Sequence, residues 1–125
     1  MPYVVLSFEE ALRKFKLEPS LFKAMVEGKP YAVLKETEVV VYNSYPIREK
    51  LKEKGFRYDP ISKAWTLWFK GKTSEETERN RENAKKLLEE LSLPCYDIRK
   101  ETLSFRDYLN IAEAVKYRKP IYVGE

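Results

Sequence analysis

Between Tyr31 and Asn43 the chain reads YAVLKETEVVVYN. Two runs rich in β-branched and aromatic residues flank the polar stretch Lys35-Glu36-Thr37. Branching at Cβ stiffens the side chain and suits a pleated, half-buried surface. The polar break marks the point where the chain reverses. The segment therefore predicts a hairpin with strands near 31–35 and 38–43. A second hairpin follows: Phe56-Arg57-Tyr58, a turn around Asp59-Pro60-Ile61-Ser62, then Ala64 to Lys70. Asp-Pro initiates a turn because proline presets φ and aspartate can bond to the backbone ahead of it.

Helices surround these hairpins. Ser7-Phe8-Glu9-Glu10 is a capping box, and Phe8, Ala11, Leu12 and Phe15 follow at helical spacing, predicting a helix over 8–17. Pro19 suits the first turn of a second helix that stops at Gly28. Pro46 opens a third helix, ended by Gly55. Thr73-Ser74-Glu75-Glu76 reads as another capping box and starts the longest helix, about 74–92, ended by Pro94. Its first turns are almost wholly polar, which predicts that they project into solvent or meet a partner. Ser104 caps a last helix over roughly 104–117. Residues 3–6 and 121–123 read as short strands or docked ends. No repeat, low-complexity run or linker interrupts the order. The class is α+β, a single domain over 1–125, with an antiparallel four-stranded sheet of two hairpins packed by four or five helices.

Composition excludes several chemistries. The 125 residues include no histidine and a single cysteine, Cys95. Nucleophilic catalysis through a His-activated side chain has no base, and a zinc site has too few ligands. The four glycines are scattered, so no phosphate-cradling loop exists. Glu75, Glu76 and Glu78 sit at a helix start, where acids favourably meet the dipole. The reading is a non-enzyme with no cofactor and no metal. One cysteine points to a reducing compartment, and no stretch reaches the roughly 20 apolar residues of a membrane helix. The N-terminal residues do not follow a signal-peptide layout. The expected location is cytoplasmic. Charged residues make up 35% of the chain, and labile types are scarce, which fits a thermophilic source.

Charge distribution points to a partner. Residues 44–72 carry eight positive and three negative charges, a net of +5, while the whole chain nets +4. The same segment holds both tryptophans. Side chains alternate faces along a strand. Trp65, Leu67 and Phe69 therefore share one face, expected in the core, and Ala64, Thr66, Trp68 and Lys70 share the other. Phe56 and Tyr58 would join the core, leaving Arg57 with Trp68 and Lys70. Val39 and Val41 look buried, leaving Val40 and Tyr42 opposite, so Tyr42 would extend the aromatic surface. Tyr42, Arg57, Trp68 and Lys70, edged by Arg48, Lys52, Lys63 and Lys72, suit single-stranded nucleic acid. Bases stack on rings while cations track phosphates.

The stretch KEKGFRYDPISKAWTLWF, Lys52 to Phe69, resembles G-x-R-[WY]-D-P…K-x-W segments found in small domains attached to nucleic-acid enzymes. The layout is also similar to the single-stranded DNA-binding proteins of thermophiles called ThermoDBP and their archaeal relatives. That resemblance implies an antiparallel sheet packed by helices, an aromatic cleft with basic edges, and oligomerisation through C-terminal helical segments. It implies that Arg57, Trp65, Trp68 and nearby lysines line or support the cleft, whereas strand parity buries Trp65. No long C-terminal leucine zipper follows, so the helices at 74–92 and 104–117 are the alternative contacts of a homodimer or higher oligomer. Two other functions remain open. One is a protein-binding adaptor using the polar start at 74–83 and the last helix. The other is a carboxylate–magnesium nuclease using acids such as Asp59 and Asp107.

Overall fold

The computed structural model describes residues 2–124. The elements run β1 (Tyr3–Val4), α1 (Phe8–Phe15), α2 (Pro19–Glu27), β2 (Tyr31–Leu34), β3 (Glu38–Tyr42), a 3-10 turn (Tyr45–Ile47) and α3 (Arg48–Glu53). They continue with β4 (Arg57–Asp59), β5 (Ala64–Trp68), α4 (Ser74–Glu90), β6 (Cys95–Asp97), α5 (Phe105–Lys116) and β7 (Ile121–Tyr122). Contacts gather into two compact units: Pro30–Lys100, and the residues up to Lys29 together with those from Glu101 onward.

The first of these units holds a five-stranded sheet in the order β4-β5-β3-β2-β6. The class is α+β as expected, but the sheet is neither four-stranded nor wholly antiparallel. Both hairpins form, joined through β3 and β5, and β6 adds a strand parallel to β2. A parallel neighbour needs a long crossover, and α4 supplies it. Three residues behind Pro94 carry no readable alternation, so β6 leaves no periodic signal. One face of the sheet carries Ala32, Leu34, Val39 and Val41, packed with Leu51 of α3, Ala84 and Leu88 of α4, and Phe56 and Phe69. Trp65 and Leu67 pack partly against this cluster, as parity requires.

The polar start of α4 is exposed at Ser74, Glu75, Glu78 and Arg79, as expected, but it does not stay in solvent throughout. Arg81 is buried, and its side chain reaches the ends of β2 and β6. Its Nε donates to Lys35 O at 3.0 Å, and an Nη bonds Asp97 Oδ1 at 2.8 Å. Asn80 Nδ2 donates to Phe69 O at 2.8 Å. This part of the helix is thus fastened to strand ends through polar groups: the Lys35 and Phe69 carbonyls just past β2 and β5 gain donors, and the Asp97 carboxylate gains a cation. At the surface Arg99 bridges Glu36 and Glu78. Its hydrogen bonds hold both carboxyls below the usual range. The second capping box is half formed: Thr73 Oγ1 accepts from Glu76 N–H, but Glu76 Oε1 accepts from Lys72 N–H, not from Thr73. Gly71 is required by this approach, since a Cβ there would lie 2.8 Å from Glu76 Cβ.

The other unit is helical with a two-stranded ribbon. The capping box at Ser7 is complete in both directions. α2 and α1 pack on α5, burying Ala11, Leu21, Phe22, Met25, Ile111 and Ala112. The Tyr108 hydroxyl is fully buried; it accepts from Glu18 N–H at 2.9 Å and donates to Glu101 Oε1 at 3.0 Å. β1 and β7 pair antiparallel, with the rings of Tyr3 and Tyr122 5.2 Å apart.

Candidate nucleic-acid interface

Strand register decides which aromatic side chains share a face. Tyr58 lies opposite Trp65, and Val41 lies opposite Trp65 on its other side. These belong to the face covered by α3 and α4. Arg57 lies opposite Thr66, and Glu38 lies opposite Trp68. Those belong to the reverse face. The two tryptophans are an odd number of residues apart and so point to opposite faces. They are also separated by roughly 10 Å along the strand. One surface cannot present both.

The reverse face is only partly what parity suggested. Arg57 is exposed and is a diagonal neighbour of Trp68, which is 54% exposed. Between them and Tyr42 lie Val40 and Thr66, both buried, together with Val33. Thr66 Oγ1 makes no hydrogen bond there. Tyr42 is half-buried, its ring 5.6 Å from Tyr31. Burial raises the Tyr42 hydroxyl above its ordinary pKa, and Glu38 adds to the rise. Tyr42 does not extend the Trp68 surface, because the middle of the face separates them. Trp68 faces an acid across the strand pair, and Lys70 and Lys72 follow it into the start of α4.

A second arrangement lies at the other end of the sheet. Tyr42 ends β3 at the level where Ala64 begins β5. The link from β3 to α3 and the β4–β5 turn therefore leave the sheet at one end. Tyr45 stands in that link, 73% exposed, with the Arg48 guanidinium 3.7 Å from its ring centroid. Arg48 Nη1 also donates to Tyr45 O at 2.6 Å, which fixes the stack. A guanidinium over a ring face is an attractive pairing. Tyr58 is 52% exposed instead of core, because β4 is the outermost strand and no further strand shields its far end. Its ring meets Trp65 edge-on at 6.0 Å. Trp65 is half-buried, packing partly against the core cluster on the face that parity assigned to it.

The turn between the strands is built around Asp59. Its Oδ1 accepts from Ile61 N–H and its Oδ2 from Ser62 Oγ, each at 3.1 Å. The one acid of this turn is thereby engaged with its own backbone and neighbour. Lys63 follows in the left-handed region at φ 56, a conformation disfavoured for a lysine. Lys63 and Lys52 are exposed. Tyr45 is not among the residues expected from the sequence to bind, and Tyr58 was expected in the core, where it is not. The signal for Tyr58 was present in its place on a short strand, but edge position is a property of sheet order. No group of three acids, cysteines or histidines among the described residues is placed to hold a metal ion. No described helix is long and apolar enough to cross a membrane. Compared with known proteins, the chain matches no family model, and no curated protein or solved structure is significantly similar to it.

Proposed function

We propose that the protein binds single-stranded nucleic acid, largely without sequence preference, on the surface formed by Tyr45, Arg48, Tyr58, Trp65 and Lys63. The observation that carries this reading is the coincidence of exposed rings with cations at one end of the sheet. Tyr45 and Tyr58 offer ring area, and Arg48 and Lys63 offer positive charge. Two carboxylates adjoin this surface in sequence, Glu49 and Asp59, and Asp59 is engaged within its own turn. The resemblance to the ThermoDBP proteins favours the same partner class, DNA or RNA, and assembly as a dimer or higher oligomer.

Each ring that accepts a base contributes roughly 1–3 kcal/mol. Binding is electrostatic in part, so affinity falls with salt at a log–log slope of about −0.7 per neutralised phosphate. Anisotropy titration of labelled oligo-dT and oligo-U at low and moderate salt tests the reading. Saturable binding with that salt dependence supports it. No binding of either strand at low salt rejects it.

A specific observation also favours the adaptor reading. A hollow of about 290 Å³ lies beside α2 and α5, lined by Met25, Leu109, Ala112, Glu113, Lys116 and Tyr117. Leu109 and Tyr117 are exposed there. The α4 half of that reading is weakened, since Asn80 and Arg81 bond internally. A stable protein partner co-purifying without nucleic acid, and lost on Leu109→Asp, would favour the adaptor.

A further inference from the structure

We infer that Ile61 is an unstacking wedge, an apolar side chain that enters between neighbouring bases of a single strand held on the Tyr45–Tyr58 surface. This rests on the reading of that surface as a nucleic-acid interface and adds what the surface does to the bound strand. Ile61 is 93% exposed, at the apex of the β4–β5 turn. A single exposed apolar side chain ordinarily needs no explanation. Three features separate this one from that case.

The first is support. Pro60 fixes its own φ, and Asp59 accepts hydrogen bonds from Ile61 N–H and Ser62 Oγ. These restraints narrow the shapes open to the apex before any partner arrives, which lowers the ordering entropy that opposes insertion. The second is setting. Tyr58 stands at one foot of the turn and Lys63 at the other. A displaced base finds a ring on one side, and the adjoining phosphate finds a cation on the other. The third is chemistry. Branched aliphatic side chains inserted at base steps separate the bases while burying their own surface. Burying Ile61 in this way recovers apolar area that the free protein leaves in water. A single strand stacks more weakly than a duplex, so the wedge acts without having to break pairs.

The test uses the full chain and oligo-deoxyadenylate, whose near-ultraviolet circular-dichroism band reports adenine stacking. The wild-type protein at saturation should reduce that band. Ile61→Ser should bind about tenfold more weakly and leave the band intact at saturation. Ile61→Leu should behave as wild type. Lys63→Ala should weaken binding and lower the salt slope by about 0.7, yet still reduce the band. Ile61 is solvent-facing, so these variants keep their fold, which a thermal melt verifies. A strand that binds with its band unchanged by the wild-type protein, or reduced equally by Ile61→Ser, overturns the wedge and leaves the interface standing. Failure of the wild-type protein to bind any oligomer at low salt overturns the interface and the wedge together.

Discussion

Replacing Arg81 by methionine isolates what joins α4 to the ends of β2 and β6. Methionine keeps much of the aliphatic stem, so packing changes little while the charge and its donors are lost. Three acceptors lose a partner: Lys35 O, Leu34 O and Asp97 Oδ1. Asp97 keeps one donor, the Arg99 N–H at 2.9 Å. Both side chains of the pair are almost fully buried. Removing one partner of a buried pair costs about 3–5 kcal/mol, because the other charge is left uncompensated. Urea unfolding followed by tryptophan emission should therefore shift its midpoint downward by more than about 1 M. Asp97→Asn with Arg81→Met should be less damaging than the two single changes summed, by about 0.5–3 kcal/mol. The pair also has a pH signature. Burial opposes ionisation of Asp97, but the Arg81 hydrogen bond, the Arg99 N–H and nearby cations outweigh it and lower its pKa. A lowered folded-state pKa contributes stability above the unfolded value of about 3.9, and that contribution is lost as pH falls through the folded value. Acid unfolding below about pH 4 should thus be less steep in Arg81→Met. A cost under about 1 kcal/mol, or additive single and double changes, would refute the role given to this contact.

Tyr108→Phe leaves Glu18 N–H and Glu101 without the hydroxyl between them, and should cost about 1–3 kcal/mol in a thermal or urea melt. Tyr31 and Tyr108 are both pushed up to about 12, chiefly by burial. A raised pKa gives stability that is full below the unfolded value near 10 and lost as pH rises towards 12, so melts at pH 9 and 11 should differ, and Tyr108→Phe should narrow the difference. The Cys95 thiol is pushed up to about 11 by burial and then by Asp97. Ellman's reagent at pH 8 should therefore react at least about tenfold more slowly with the folded chain than with the urea-unfolded chain; equal rates would contradict its burial.

How much of this was legible in the sequence follows from the length scale of each signal. The first hairpin was readable because β-branched runs flank a polar break at Lys35-Glu36-Thr37, and the second because Asp59-Pro60 marks a turn before the alternating run Trp65–Phe69. The caps at Ser7, Thr73 and Ser104 were readable because capping is local. β6 was not, since three residues carry no period and its parallel partner is remote in sequence. Arg81 was hidden in a polar run, and only the position of the strand-end carbonyls and of Asp97 makes a buried arginine favourable there. Parity correctly separated Trp65 from Trp68, yet it could not say which face was covered in its middle, where Val40 and Thr66 lie. Nor could it tell that β4 would be outermost, which is why Tyr58 was assigned inward. Of the residues expected to bind, Arg48, Lys63 and Trp65 belong to the hairpin end; Lys52 lies a turn further along α3, Arg57 and Trp68 share the reverse face, and Tyr42 is set apart from both.

The direct test of that division is a side-by-side titration of one labelled single strand with Tyr58→Ala and Trp68→Ala at low salt. Loss of roughly 5–150-fold in affinity from Tyr58→Ala, with Trp68→Ala within about twofold of wild type, is the outcome the hairpin-end surface requires. Equal affinities in Tyr58→Ala and wild type, or a loss confined to Trp68→Ala, would contradict it.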